Sequence, residues 1–106
     1  MTNTPVGTEP SVTFAHVMVS GRVQGVGYRA WCAERAEALG VSGWVRNRAS
    51  GAVEALFAGA PEQVEALVAA CRDGPRGAHV DEVQRLDPAE AARPEPGAGF
   101  RILPTV

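Results

Sequence analysis

The nine residues Gly21-Arg22-Val23-Gln24-Gly25-Val26-Gly27-Tyr28-Arg29 constrain the fold more than any other stretch of the chain. They follow an apolar run, Phe14 to Val19, whose pattern predicts a buried strand, and they precede a helix-compatible run, Ala30 to Leu39. Three glycines at such a junction let the backbone take positive φ and turn its N–H groups inward as an anion-binding nest. The nest opens onto a helix N-terminus, where unpaired N–H groups and the helix dipole also favour an anion. Arg29 falls at the first helical turn and adds a planar guanidinium fork suited to phosphate oxygens. The same residues also suit a tight strand-to-helix turn with solvated arginines, and the loop alone leaves both readings open.

Neighbouring motifs narrow the choice. No Gly-Lys-Ser/Thr follows the loop, and the chain has no lysine, so a Walker-type nucleotide site is excluded. The loop contains no GxGxxG, which argues against a dinucleotide site. It also holds no cysteine, which argues against a thiolate–phosphate intermediate; Cys32 comes later, on the expected helix.

Beyond the loop, the chain of 106 residues predicts one modest domain. Residues 1–13 are expected to form a flexible tail, and the domain is expected over 14–106. The first strand is predicted over Phe14 to Ser20, with His16 in a structural role. The first helix follows over Ala30 to Leu39, with Cys32, Ala36 and Leu39 on one face and Gly40 as its stop. Trp44 to Arg48 and Ala52 to Phe57 read as strands joined by a hairpin turn at Ala49-Ser50-Gly51. Pro61 starts a second helix with Val64, Leu67, Val68 and Cys71 facing inward. Val80 to Leu86 suggests a polar strand near an edge, residues 87–99 a loop, and Phe100 to Leu103 a short closing strand.

This order predicts an α+β fold: a ferredoxin-like split β-α-β sandwich, with a mostly antiparallel sheet and two antiparallel helices on one face. The first two strands, joined through one helix, then run parallel. The glycine loop leaves the end of the first and Asn47 stands at the end of the second, so Arg29 and Asn47 reach one rim although 18 positions apart. The antiparallel helices also bring Cys32 and Cys71 toward each other, where small reduced core residues are expected.

Charge points to the same rim. Residues 1–50 carry five arginines and three acids, a net of +2, whereas residues 51–106 carry five arginines and nine acids, a net of −4. A positive half of this size suits a small anion better than a long nucleic acid. Two cysteines and no recognisable leader lead us to expect the cytoplasm, and no apolar run approaches a membrane span. A monomer is expected.

Two segments carry a resemblance to the acylphosphatase family. One is Gly21 to Arg29; the other is Gly43-Trp44-Val45-Arg46-Asn47, followed at the family's spacing by Gly51, Val53 and Gly59. The similarity spans roughly residues 14–103. It implies hydrolysis of a carboxyl–phosphate anhydride to a carboxylate and inorganic phosphate. It further implies that Arg29 binds the phosphoryl oxygens, helped by backbone N–H groups of Val23, Gln24, Gly25, Val26, Gly27, Tyr28 and Arg29. Asn47 would orient the attacking water. No metal and no organic cofactor is implied, and the implied partners are an acyl phosphate and inorganic phosphate, not nucleic acid or membrane.

The chemistry of the residues agrees with this. Phosphoryl transfer needs positioning and charge neutralisation more than covalent chemistry. A carboxylate is a weak base and leaves without a strong general acid, consistent with motifs that hold no histidine or paired carboxylates. Asn47 is no base, but its amide can accept a hydrogen bond from water. Competing readings are weaker. An RNA-binding sheet would need an aromatic and basic run, and the chain has only six aromatics. A phosphate-binding regulatory or carbamoyl-phosphate-handling domain would belong to a longer protein.

Overall fold

The computed structural model describes residues 12–91, 94 and 97–106. The first apolar run forms β1 (Thr13–Arg22), and α1 (Tyr28–Leu39), β2 (Ser42–Asn47) and β3 (Val53–Gly59) follow it. Then come α2 (Pro61–Cys71), β4 (His79–Leu86), a single 3₁₀ turn over Pro88–Glu90 and β5 (Phe100–Ile102). The strands form one sheet in the order β4-β1-β3-β2-β5. β3 runs antiparallel to both β1 and β2, so those two are parallel to each other with β3 between them. β4 pairs antiparallel with β1 at one edge, and β5 pairs parallel with β2 at the other. This is the expected ferredoxin-like sandwich with one added parallel strand.

Strand alternation decides which side chains meet the helices. Val17, Ala55 and Val45 lie in one transverse row, and Val19, Val53 and Asn47 in the next. The valines and alanine of these rows pack with Tyr28, Cys32 and Ala36 of α1 and with Val64, Leu67 and Cys71 of α2. Val17, Phe57 and Leu67 are wholly buried there. Each such side chain contributes about 1.5–3 kcal/mol by leaving water. The intervening rows face the other side of the sheet, where His16, Leu56 and Trp44 line up, as do Glu54 and Arg46.

Several boundaries differ from the sequence expectation. β1 continues to Arg22 instead of stopping at Ser20, because Gly21 (φ 122°) bulges against β4. A Cβ there would lie 2.2 Å from the His79 carbonyl oxygen, so only glycine fits. The helix begins at Tyr28 instead of Ala30, since Gly27 (φ 81°) already serves as its left-handed N-cap. The inward face of α1 is Tyr28, Cys32 and Ala36, while Leu39 is only half-buried. Gly40 (φ 71°) ends the helix as expected, donating to the carbonyls of Ala36 and Glu37. The polar strand β4 is indeed an edge. Of the expected tail, residues 1–11 lie outside the described residues, and Thr13 already pairs with Gly59 in β1. Within the expected loop 87–99, Asp87 caps the 3₁₀ turn by accepting from the Ala89 N–H at 3.0 Å; residues 92, 93, 95 and 96 lie outside the described residues.

Candidate active site

The glycine loop is short, running from Val23 to Gly27, and Gly25 (φ 76°) and Gly27 (φ 81°) give it its left-handed turns. α1 starts directly from it. Gly27 has no side chain to cap the helix, and the first turn holds no acid. The Trp31 N–H is the first to close onto the loop, reaching the Gly27 carbonyl at 3.0 Å. The N–H groups of Tyr28, Arg29 and Ala30 therefore have no intrahelical partner, and the positive end of the dipole is not neutralised. Arg29 is half-buried in this turn and makes no ion pair among the described residues. Its guanidinium is uncommitted.

Asn47 ends β2 and shares its row with Val53 and Val19. That parity turns its side chain to the helix-covered side of the sheet, toward the start of α1. The Asn47 backbone is gripped from both flanks. β3 holds one side, and on the other the Asn47 carbonyl accepts from the Val106 N–H at 3.2 Å. Ala49 N–H donates in turn to the Val106 carbonyl at 2.8 Å. The side-chain Oδ1 of Asn47 is buried and has no hydrogen-bond partner among the described residues. A buried acceptor left unpaired costs about 1–3 kcal/mol, so its free lone pairs count as a feature of the site.

Both residues line one cleft of about 260 Å³, together with Val23, Gly25, Gly27, Tyr28, Ala30 and Ile102. The structure thus brings Arg29 and Asn47 together, along with Val23, Gly25, Gly27 and Tyr28 of the predicted loop residues. Gln24 and Val26 do not line the cleft. Val26 packs against the core, and the Gln24 amide is engaged elsewhere: its Nε2 donates to the carbonyls of Arg48 and Ala52, each at 2.8 Å. Tyr28 contributes no hydroxyl to the cleft, because its ring is buried and its O–H donates to the Cys71 carbonyl at 2.7 Å. Burial, reinforced by Cys71, pushes that hydroxyl far above the usual tyrosine range and keeps it protonated. Ile102 was not singled out in the sequence; it joins the cleft because parallel pairing sets it beside Val45, in the row next to Asn47.

Among the described residues no other ionisable side chain lines the cleft. On the opposite sheet face the buried Glu54 carboxylate accepts from His16 Nε2 at 2.6 Å, Arg46 Nε at 2.9 Å and Arg48 Nη1 at 3.1 Å. Burial opposes its charge, but the bonds from His16 and Arg46 outweigh that cost and hold it below the usual carboxylate range. Glu54 is thus paired by these three groups and is not part of the cleft lining. Arg46 also lies over the Trp44 ring at 4.8 Å. Cys32 and Cys71 are buried and unbridged between the helices, and the hydrogen bond between them, with burial, pushes the Cys32 thiol up. Among the described residues no three of His, Cys, Asp and Glu are grouped so as to hold a metal ion, and no helix is long and apolar enough to cross a membrane.

Known proteins resemble this chain in sequence and in fold. The acylphosphatase family model matches residues 15–102. An acylphosphatase of Azorhizobium caulinodans is 53% identical over 91 residues, which is 86% of this chain and 95% of that protein. The crystal structure of acylphosphatase from Bacillus subtilis superposes with a TM-score of 0.77 at 29% identity, covering 88% of this chain and 99% of the other. The structure of an acylphosphatase from Coxiella burnetii gives 0.75 at 32% identity, over 87% and 93%. With the whole sandwich matched in sequence and in fold, from within β1 to the end of β5, the chain belongs to the acylphosphatase family.

Proposed function

We propose that the protein hydrolyses acyl phosphates without a metal ion, in the cleft between the start of α1 and the end of β2. The observation that carries this reading is an uncommitted arginine on an uncapped helix N-terminus, facing the same cleft as an asparagine with an unpaired buried oxygen. The loop amides and the Arg29 fork hold the phosphoryl oxygens and offset their charge as the transition state spreads it. Asn47 Oδ1 accepts a hydrogen bond from the attacking water and sets its line to phosphorus. The bond from phosphorus to the acyl oxygen breaks as the bond to water forms, and the products are a carboxylate and inorganic phosphate.

The water must lose a proton, and among the described residues the cleft lining offers no carboxylate or imidazole to take it. Tyr28 is also unsuited, being protonated and committed to Cys71. The proton goes to a phosphoryl oxygen of the substrate itself. No general acid is required either, because the leaving carboxylate is a weak base. An alkyl phosphate would have to expel an alkoxide and should react poorly in the same cleft.

Turnover of benzoyl phosphate and of an alkyl phosphate monoester, both in excess chelator, tests this. Fast release of phosphate from the first and little from the second is expected. Loss of activity in chelator with recovery on added magnesium would overturn the mechanism.

A further inference from the structure

Gln24 lies inside the phosphate loop, between Val23 and Gly25 of the cleft wall, yet it is not itself part of that wall. Its side chain crosses to the β2–β3 hairpin, where Nε2 meets two carbonyl oxygens, those of Arg48 and Ala52, each at 2.8 Å. An amide nitrogen carries two N–H donors, so both are used and both are spent on one turn. These carbonyls mark the neck of the hairpin. Arg48 N–H donates to the Ala52 carbonyl at 2.8 Å, and Gly51 N–H donates to the Arg48 carbonyl at 3.0 Å. Arg48 directly follows Asn47 in the chain.

We propose that Gln24 is a positioning residue that fastens the phosphate loop to the hairpin and so fixes the distance from the bound phosphoryl group to Asn47. This rests on the roles given above to Arg29 and Asn47. The two halves of the site come from different connections of the fold: the loop between β1 and α1, and the turn between β2 and β3. Strand pairing aligns their roots, since Val19, Val53 and Asn47 share a row. Past those roots, the Gln24 amide ties the loop directly to the hairpin. Attack on phosphorus is sensitive to that separation, whereas phosphate binding by Arg29 and the loop amides is not.

The test uses the full chain carrying Gln24→Glu, Gln24→Ala, Asn47→Ala, or Gln24→Ala combined with Asn47→Ala. Gln24→Glu keeps the shape but turns the donor into an acceptor facing two carbonyls; should it fail to fold, Gln24→Ala carries the test alone. Each Gln24 variant should lose about 10- to 100-fold in kcat for benzoyl phosphate, the scale of a misplacement near 1 Å. Its melting point should still rise with inorganic phosphate. The combined variant should turn over no more slowly than Asn47→Ala alone, because the two residues act through one geometry. Unchanged kcat in Gln24→Ala, multiplied losses in the combined variant, or a lost phosphate response would each overturn the proposal. Should the wild type fail to hydrolyse benzoyl phosphate, the proposed function falls and the clamp is judged by amide hydrogen exchange. Faster exchange of Arg48 and Gly51 in Gln24→Ala would support it, and unchanged exchange would refute it.

Discussion

Replacing Glu54 by Gln probes the buried polar network that underpins the hairpin strands on the sheet face opposite the helices. Glu54 accepts three hydrogen bonds, two at Oε1 from Arg46 and Arg48 and one at Oε2 from His16. A glutamine accepts at one of these positions only and presents N–H donors at the other. With its oxygen toward the arginines, the amide N–H meets His16, whose Nε2 accepts once the ring proton sits on Nδ1. With its oxygen toward His16, the two arginines face a donor. Either way the charge is gone. Bonds to a charged group are worth about 1.5–3 kcal/mol, and losing the charge weakens those from both His16 and Arg46. Arg48 is 37% exposed and adds little, so the working figure is about 3 kcal/mol at neutral pH. In a domain of this size each kcal/mol moves the melting point by about 4–8 °C, giving a fall of about 12 °C or more. The pH dependence has a definite sign. The folded carboxyl lies below its ordinary value of 4.5, so its contribution is complete above that value and is lost as the pH falls through the folded one. Urea unfolding of both proteins at pH 7 and near pH 3 reads the difference directly. The gap should be wide at pH 7 and should narrow in acid as wild-type Glu54 takes up its proton. A gap below about 0.5 kcal/mol at pH 7, within the usual range for surface substitutions, or one that persists undiminished in acid, would refute the reasoning.

Two further substitutions test single contacts. Gly43→Ala should destabilise by more than about 3 kcal/mol or prevent folding, because φ is 138° and a Cβ would lie 1.8 Å from the Leu56 carbonyl oxygen; thermal melting and soluble yield check this. Tyr28→Phe should cost about 1–3 kcal/mol by orphaning the Cys71 carbonyl, yet turnover per folded molecule should match the wild type, because the hydroxyl faces α2 and not the substrate.

The sequence was most informative where local chemistry alone decides. Glycine spacing after an apolar run points to the loop, and the order of elements alone sets Arg29 and Asn47 on one rim. The helix start was misjudged by two residues because Gly27 already acts as the cap, leaving Tyr28 inside the helix and buried. The acceptors of Gln24 lie 24 and 28 residues further on, and nothing in the loop indicates that its side chain turns away from the cleft. Ile102 escaped notice for a related reason: Phe100–Ile102 is a strand of three residues, and so short a run does not specify parallel pairing with β2. The His16–Glu54–Arg46 cluster likewise depends on strand register, which alternation within each strand cannot supply.

A division of labour between Arg29 and Asn47 is tested most directly by pairing turnover with phosphate-induced melting shifts in Arg29→Ala and Asn47→Ala. At about ten times its dissociation constant, inorganic phosphate stabilises a binding protein by roughly 1.4 kcal/mol. Wild type and Asn47→Ala should both show that shift, and Arg29→Ala should not. Turnover should vanish in Arg29→Ala and fall by about 10²-fold or more in Asn47→Ala, the scale of one preorganised polar group at a transition state. Full turnover in Asn47→Ala, or a retained phosphate shift in Arg29→Ala, would contradict the assignment.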